Sequence, residues 1–257
     1  MTYLLVTNDD GIQAPGILAL TQAMRELGEV EVAAPANNQS ASGHRKTLYQ
    51  TIPVERTTLA DGTPATAVSG SPADCIALSA LGIVEHWPPR LVVSGINRGA
   101  NMGHDITYSG TVTAALEATI AGVPAIAVSL ENRMADTVED YAEAARVAIE
   151  VARLALQNPL PPFTILNVNV PRGEVKGIRI TRQGIRIYHD ELETAEDKSY
   201  YRIVGPEPTG KLDIAGTDLW AVNNGYASVT PIHLDLTAHQ FMAELASWEF
   251  DLTLKQG

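Results

Sequence analysis

The sequence carries one cysteine, Cys75, in 257 residues, so no disulfide can form within the chain and a reducing, cytoplasmic setting is expected. Cys75 follows Ser71-Pro72-Ala73-Asp74, which reads as a helix start with Ser71 as cap and Pro72 in the first turn. It is therefore expected to be a buried structural residue rather than a nucleophile. Long apolar runs are also missing. The longest, Ala114 to Leu130, is broken by Glu117, Gly122 and Pro124, which excludes a continuous membrane-spanning helix. The opening Met-Thr-Tyr-Leu-Leu-Val-Thr has no basic stretch before its apolar residues, so it reads as part of the fold and not as a secretory signal. Positive charge is scarce: 18 Lys and Arg against 30 Asp and Glu leave a net charge of −12. With no Lys/Arg stripe to offset that field, binding along duplex nucleic acid is not expected. A small anion could still bind, given a metal ion or a cluster of backbone N–H groups to neutralise it. Internal repeats and low-complexity tracts are absent as well.

What is present reads as one large α/β unit. Tyr3 to Thr7 is a short apolar run entering the turn Asn8-Asp9-Asp10-Gly11, and reads as a buried strand. Pro15-Gly16 begins a segment with Ile17, Leu20, Met24 and Leu27 at helical spacing, stopped by Gly28. Glu29 to Pro35 is a second strand, completing a βαβ unit with a parallel pair. Helices over about Ser71–Leu81, Thr111–Ala121 and Val138–Leu156 alternate with strands at Leu91–Ser94, Ala125–Leu130 and Thr164–Val170. That alternation predicts a doubly wound, mostly parallel sheet covered on both faces. Beyond Pro171 the pattern changes to short strands, at Ile178–Thr181, Tyr200–Val204 and Tyr226–Pro231, and Thr237-Ala238-His239-Gln240 resembles a capping box opening a last helix. The expectation is a single domain, with residues 1–170 as core and 171–257 as a β-rich C-terminal extension of the kind that serves oligomerisation.

Ligands of such sheets bind beyond the carboxyl ends of the strands, near the point where strand order reverses. Asp9 and Asp10 follow the first strand, Asn37-Asn38-Gln39-Ser40 the second, and Gly95-Ile96-Asn97 the strand from Leu91. All present oxygen donors. Two carboxylates, a hydroxyl and an amide suit a hard cation such as Mg²⁺ or Mn²⁺ and suit zinc poorly, since no Cys or His stands there. A helix-capping turn is the plainer reading of Asp-Asp-Gly. Adjacent carboxylates repel unless something neutralises them, however, which favours the metal. The first turn has neither G-x-G-x-x-G nor a Walker pattern, so dinucleotide and triphosphate binding in those modes lacks support.

Ser94 to Thr111 is rich in glycine, and Ser109-Gly110-Thr111 opens a helix. Backbone N–H groups, hydroxyls and the positive helix end there make a phosphate cradle, with a Ser/Thr-capped tight loop as the plain alternative. His44 is a candidate for contact with phosphate or leaving group, or is solvated. Arg98 pairs with phosphate or faces solvent, and Asp105 is expected to order the loop by hydrogen bonding.

The chain resembles the SurE (survival protein E) family of nucleotidases across nearly its whole length. The resemblance rests on Thr7 to Gly11 with Ala14-Pro15-Gly16, Pro35 to Ser40, Gly70 to Cys75, Ser94 to Thr111, Gly216-Thr217-Asp218, Gly225-Tyr226 to Pro231, and Asp235-Leu236-Thr237. It implies a Rossmann-like core whose C-terminal arm is exchanged between subunits, giving homodimers or homotetramers. By position it implies one divalent cation per subunit on Asp9, Asp10, Ser40 and Asn97, and phosphate contacts from Asn97, Asn101 and Ser109, Gly110 and Thr111. The implied activity is hydrolysis of nucleoside 5′- and often 3′-monophosphates, with short polyphosphate trimmed by some members. Ala36 stands where many members are acidic, and Arg45-Lys46 add charge near the entrance.

The expected chemistry is in-line attack by a water that the cation acidifies, with Asp9 or Asp10 as a direct nucleophile the less favoured route. A non-catalytic nucleotide or metal sensor on the same fold is the rival from another class. A sugar-nucleotide transferase also uses paired acids and metal, but no acceptor site is visible.

Overall fold

A computed structural model describes residues 2–248. Strand β1 (Tyr3–Thr7), helix α1 (Pro15–Met24) and strand β2 (Glu29–Pro35) form the first βαβ unit, with Leu4 beside Val30 and Val6 beside Val32 in parallel register. Pro15 opens α1, where its missing N–H would have had no helical partner. An antiparallel hairpin follows, β3 (Val54–Thr58) and β4 (Pro64–Val68), which the apolar pattern does not reveal. Helix α2 (Pro72–Leu78) begins with a complete capping box: Ser71 Oγ accepts from the Asp74 N–H, and Asp74 accepts from the Ser71 N–H. Its continuation is a π turn at Ser79–Ile83 rather than further α-helix. Then come β5 (Leu91–Arg98), α3 (Gly110–Ile120), β6 (Ala125–Leu130), α4 (Ala142–Gln157) and β7 (Thr164–Val170).

The remainder is β8 (Ile178–Ile180), β9 (Arg186–Ile187), β10 (Glu191–Thr194), β11 (Tyr201–Val204), β12 (Thr209–Gly210), α5 (Asp218–Asn223), β13 (Ala227–His233) and α6 (His239–Leu245). Two of these strands belong to the main sheet, whose order is β3-β4-β2-β1-β5-β6-β7-β13-β8. β13 lies antiparallel to β7 and parallel to β8, while β10–β11 and β9–β12 form separate two-stranded ladders. At α6 the capping box does not form. The cap residue is Ala238, with no side-chain bond, and Asp235 instead accepts from the Thr237 N–H and pairs with His239. Residues 249–257 of the expected extension lie outside the described residues.

Strand side chains alternate between faces, so β1 feeds two cores. Leu4 and Val6 join Ile17, Leu20, Val93, Val128, Val147 and Val151 beneath α1 and α4. Leu5 joins Ile76, Val92, Val112, Ala115, Ala127 and Ile165 beneath α2 and α3. The fold is therefore a doubly wound, mostly parallel α/β sheet. Among the described residues no helix is long and apolar enough to cross a membrane.

Candidate active site

β1 has β2 on one side and β5 on the other, and the chain runs outward from it in both directions. The crevice beyond its carboxyl end is thus the switch point of the sheet. At β5 the register against β6 shifts between Ser94 and Asn97. Gly95 makes that bulge possible: it sits at φ +137°, and a Cβ there would fall 2.3 Å from the Val128 carbonyl oxygen. The bulge brings Asn97 and Arg98 to the crevice while the strand continues.

Asp9 is buried, and Thr111 Oγ1 donates to its Oδ1. Burial pushes the carboxyl up to about 6, opposed by the Thr111 bond and reinforced by the charge of Asp10. Burial raises Asp10 too, offset by the Arg98 backbone N–H at 2.9 Å and by the Arg98 charge. The Gln39 N–H donates to the Asp9 carbonyl at 2.7 Å, binding the loop after β2 to the turn after β1. In that loop the Ser40 N–H donates to Asn38 Oδ1 at 2.8 Å, and across the crevice Asn97 Nδ2 donates to the Gly99 carbonyl at 2.7 Å. The three loops carrying Asp9, Asp10, Ser40 and Asn97 are therefore tied at one edge. Buried oxygens without hydrogen-bond partners cluster at these strand ends: Thr7 Oγ1, Asn8 Oδ1 and Ser94 Oγ. A hard, oxygen-rich donor set with two carboxylates held high by burial fits a divalent cation such as Mg²⁺ or Mn²⁺.

The head of α3 abuts Asp9 directly. Ser109 caps the helix, its Oγ accepting from the Val112 N–H at 3.1 Å. Gly110 is required by proximity, since a Cβ would lie 2.7 Å from the Asp9 Cβ and 2.9 Å from its Oδ2. Asn101 is tied to the sheet. Its Nδ2 donates to Ser129 Oγ at 2.8 Å, and its backbone N–H and carbonyl bond Asn169 and Asn167 on β7. It fixes the glycine-rich loop to the sheet. His44 Nε2 lies 3.0 Å from Glu117 Oε2, and Lys46 Nζ lies 2.8 Å from Oε1 of the same carboxylate. Asp105 orders its loop as expected, accepting from Arg186 Nε at 2.6 Å and Tyr188 OH at 2.7 Å.

Sequence reasoning missed the residues that hold this frame. Glu117, on α3, is buried and pulled below the usual carboxylate range by His44 first and Lys46 next. Its only signal was a charge inside an apolar run. Asp74 stood in the sequence only within the helix start capped by Ser71, but it accepts from the Thr47 N–H and hydroxyl at 2.7 and 2.8 Å, anchoring the loop that leads from Ser40. Asp218 accepts from the Gly103 and Gly184 N–H groups at 2.8 and 2.7 Å, joining the glycine-rich loop to the chain beyond β8. Two cavities flank the crevice. One of about 300 Å³ is lined by Asp10, Gln13, Asn37, Asn38, Arg98 and Tyr141, and one of about 290 Å³ by Gly99, Met102, Arg133, Arg172 and Arg186 among others.

A doubly wound α/β protein with an acid pair at its switch point, Asp9 of the pair set against the N-terminus of α3, is the class that fold and site define. The comparisons narrow it. The sequence model of survival protein SurE matches residues 4–190. A protein of Chloroflexus aggregans named 5′-nucleotidase SurE is 46% identical over 256 residues, covering 97% of this chain and 100% of the relative. A 5′-nucleotidase SurE 1 of Thermus thermophilus is 48% identical over 248 residues, covering 95% and 96%. The crystal structure of the SurE protein from Aquifex aeolicus superposes with a TM-score of 0.82 at 40% identity, covering 95% of this chain and 98% of that one. The chain belongs to the survival protein SurE family.

Proposed function

We propose that this chain is a metal-dependent phosphomonoesterase that hydrolyses nucleoside 5′-monophosphates, and 3′-monophosphates as well, to nucleoside and phosphate. The observation that carries the reading is the contact of Asp9 with Gly110 and Thr111: the acid pair and the anion-accepting helix head share one crevice. Relatives close to half identical over nearly the whole chain bear the name 5′-nucleotidase, which supports the substrate class.

Asp9, Asp10, Ser40 and Asn97 would hold one Mg²⁺ or Mn²⁺ per subunit. When bound, that ion supplies charge to the phosphoryl oxygens and lowers the pKa of a water. The chain does the rest. Ser109, Thr111 and the first-turn N–H groups of α3 hold the phosphoryl group and stabilise charge growing on its equatorial oxygens. Asp9 and Asp10, as ligands of that ion, would be poor free nucleophiles, which favours water as the in-line nucleophile. The exposed hairpin β10–β11, with Leu192 66% and Ile203 76% accessible, supports a second copy of the chain as partner, in a homodimer or homotetramer. Its mass in solution tests this.

The activity is tested by phosphate release from a panel of 5′- and 3′-nucleotides, with and without Mg²⁺ or Mn²⁺, in the wild type and in Asp9→Asn. Metal-dependent release that the variant lacks is expected. A protein that binds nucleotide and releases no phosphate with either metal would instead be a sensor.

A further inference from the structure

One hydroxyl beside the site has no assigned part. Ser42 Oγ is shut off from solvent and has no hydrogen-bond partner. It stands in the wedge between Asp9 and the first residue of α3: a Cβ on Gly110 would meet it at 2.9 Å, and would meet Asp9 Oδ2 at the same distance. Of the neighbouring hydroxyls, Thr111 Oγ1 donates to Asp9, while Ser109 Oγ accepts from the Val112 N–H and keeps its own proton.

The backbone carrying Ser42 is held from several sides. Its N–H donates to the Gln39 carbonyl at 3.1 Å, the Gly43 N–H donates to the Tyr108 carbonyl at 3.0 Å, and Thr113 Oγ1 donates to the Gly43 carbonyl at 3.0 Å. Just beyond, His44 and Lys46 are clamped on Glu117. The hydroxyl can rotate, but the backbone bonds hold it beside Asp9 and Gly110. A buried hydroxyl left unpaired carries an uncompensated desolvation cost, and such a group at a functional crevice is explained when the ligand completes it.

We infer that Ser42 is a substrate-binding residue, its hydroxyl turning about the Cα–Cβ bond out of the wedge to donate a hydrogen bond to a phosphoryl oxygen seated at the head of α3. This rests on the phosphomonoesterase reading of the site. Ser42 would thus supply a side-chain donor beside Ser109, since the Thr111 proton is already committed to Asp9.

The test is Ser42→Ala, with Ser42→Thr as the conservative variant, read by three measurements: melting temperature, affinity for orthophosphate in the presence of Mg²⁺, and KM for a nucleoside monophosphate. For Ser42→Ala we expect an unchanged or higher melting temperature, since an unpaired group is removed. Orthophosphate affinity should fall and KM rise by on the order of tenfold, and Ser42→Thr should recover most of both. A Ser42→Ala protein that binds orthophosphate as the wild type does overturns the inference. So does weaker binding accompanied by a lower melting temperature, which would mark a packing role. If the wild type hydrolyses nucleotides in either of those cases, the phosphomonoesterase reading stands without Ser42. A wild type that neither hydrolyses nucleotide nor binds orthophosphate overturns both.

Discussion

Asp9 and Glu117 are both almost fully buried and both lie against α3, yet they titrate in opposite directions. Asp9, at the head of the helix, has the Thr111 hydroxyl and a like charge beside it, and burial pushes it up to about 6. Glu117, two turns along, holds His44 and Lys46 and is pulled down. Burial is common to them, and the partners differ. One helix thus carries an anchor whose charge is matched inside the chain and a site whose charge is left for something outside it.

The contrast is tested most severely at Asp9. Asp9→Asn should lower nucleotidase activity by at least about a hundredfold, read as phosphate release with Mg²⁺ or Mn²⁺. The same change should stabilise the metal-free protein. A folded pKa raised from 3.8 to about 6 means that ionised Asp9 opposes folding. That penalty is absent below about pH 4, grows through about pH 6 and is constant above it. At neutral pH, denaturant unfolding should show a gain for Asp9→Asn of about 2–3 kcal/mol at most, and none near pH 3. Added Mg²⁺ or Mn²⁺ should raise the melting temperature of the wild type and leave that of Asp9→Asn nearly unmoved.

Next in size is Asp74→Ala, which removes one half of the capping box and the anchor of Thr47 together. A loss of about 2–3 kcal/mol in unfolding free energy is expected. Glu117→Gln frees His44 and Lys46 and should cost about 1–2 kcal/mol, with a higher KM because the loop bearing Ser40 loses an anchor. The sign with pH is opposite to that at Asp9. The folded pKa is depressed, so the Glu117 contribution is full above about pH 4.5 and fades as pH falls through the folded pKa, where the wild type and variant should converge. The smallest effect belongs to Asp61, at the exposed β3–β4 turn, lowered to about 2 first by Thr63. Asp61→Asn should cost under about 1 kcal/mol at pH 7.

The core strands were legible because each is a short apolar run closed by Gly, Pro or Asn. Tyr3–Thr7, Glu29–Pro35, Ala125–Leu130 and Thr164–Val170 carry the expected bounds. The hairpin β3–β4 was not legible, because Val-Glu-Arg-Thr-Thr forms an outer strand with little burial and shows no apolar alternation. Nor could sequence show that β13 lies inside the main sheet, since strand neighbours far apart in the chain leave no local trace. At the site, the residues that follow the strands could be read from position alone. Glu117 and Ser42 could not, because each owes its place to neighbours dozens of residues away. His44 looked available for substrate, and only the folded chain shows its Nε2 facing Glu117.

The position of β13 also sets an order of events during synthesis. Residues of β7 emerge well before the strand that covers them, and Ser228 to His233 then pair with Asn169 to Thr164 in reverse. At translation speeds of about 5–20 residues per second, β7 waits several seconds with one edge open. An open edge accepts any strand, including that of a neighbouring nascent chain. Slowing elongation between Val170 and Ala227 should therefore raise the yield of entangled species, and speeding it should reduce it.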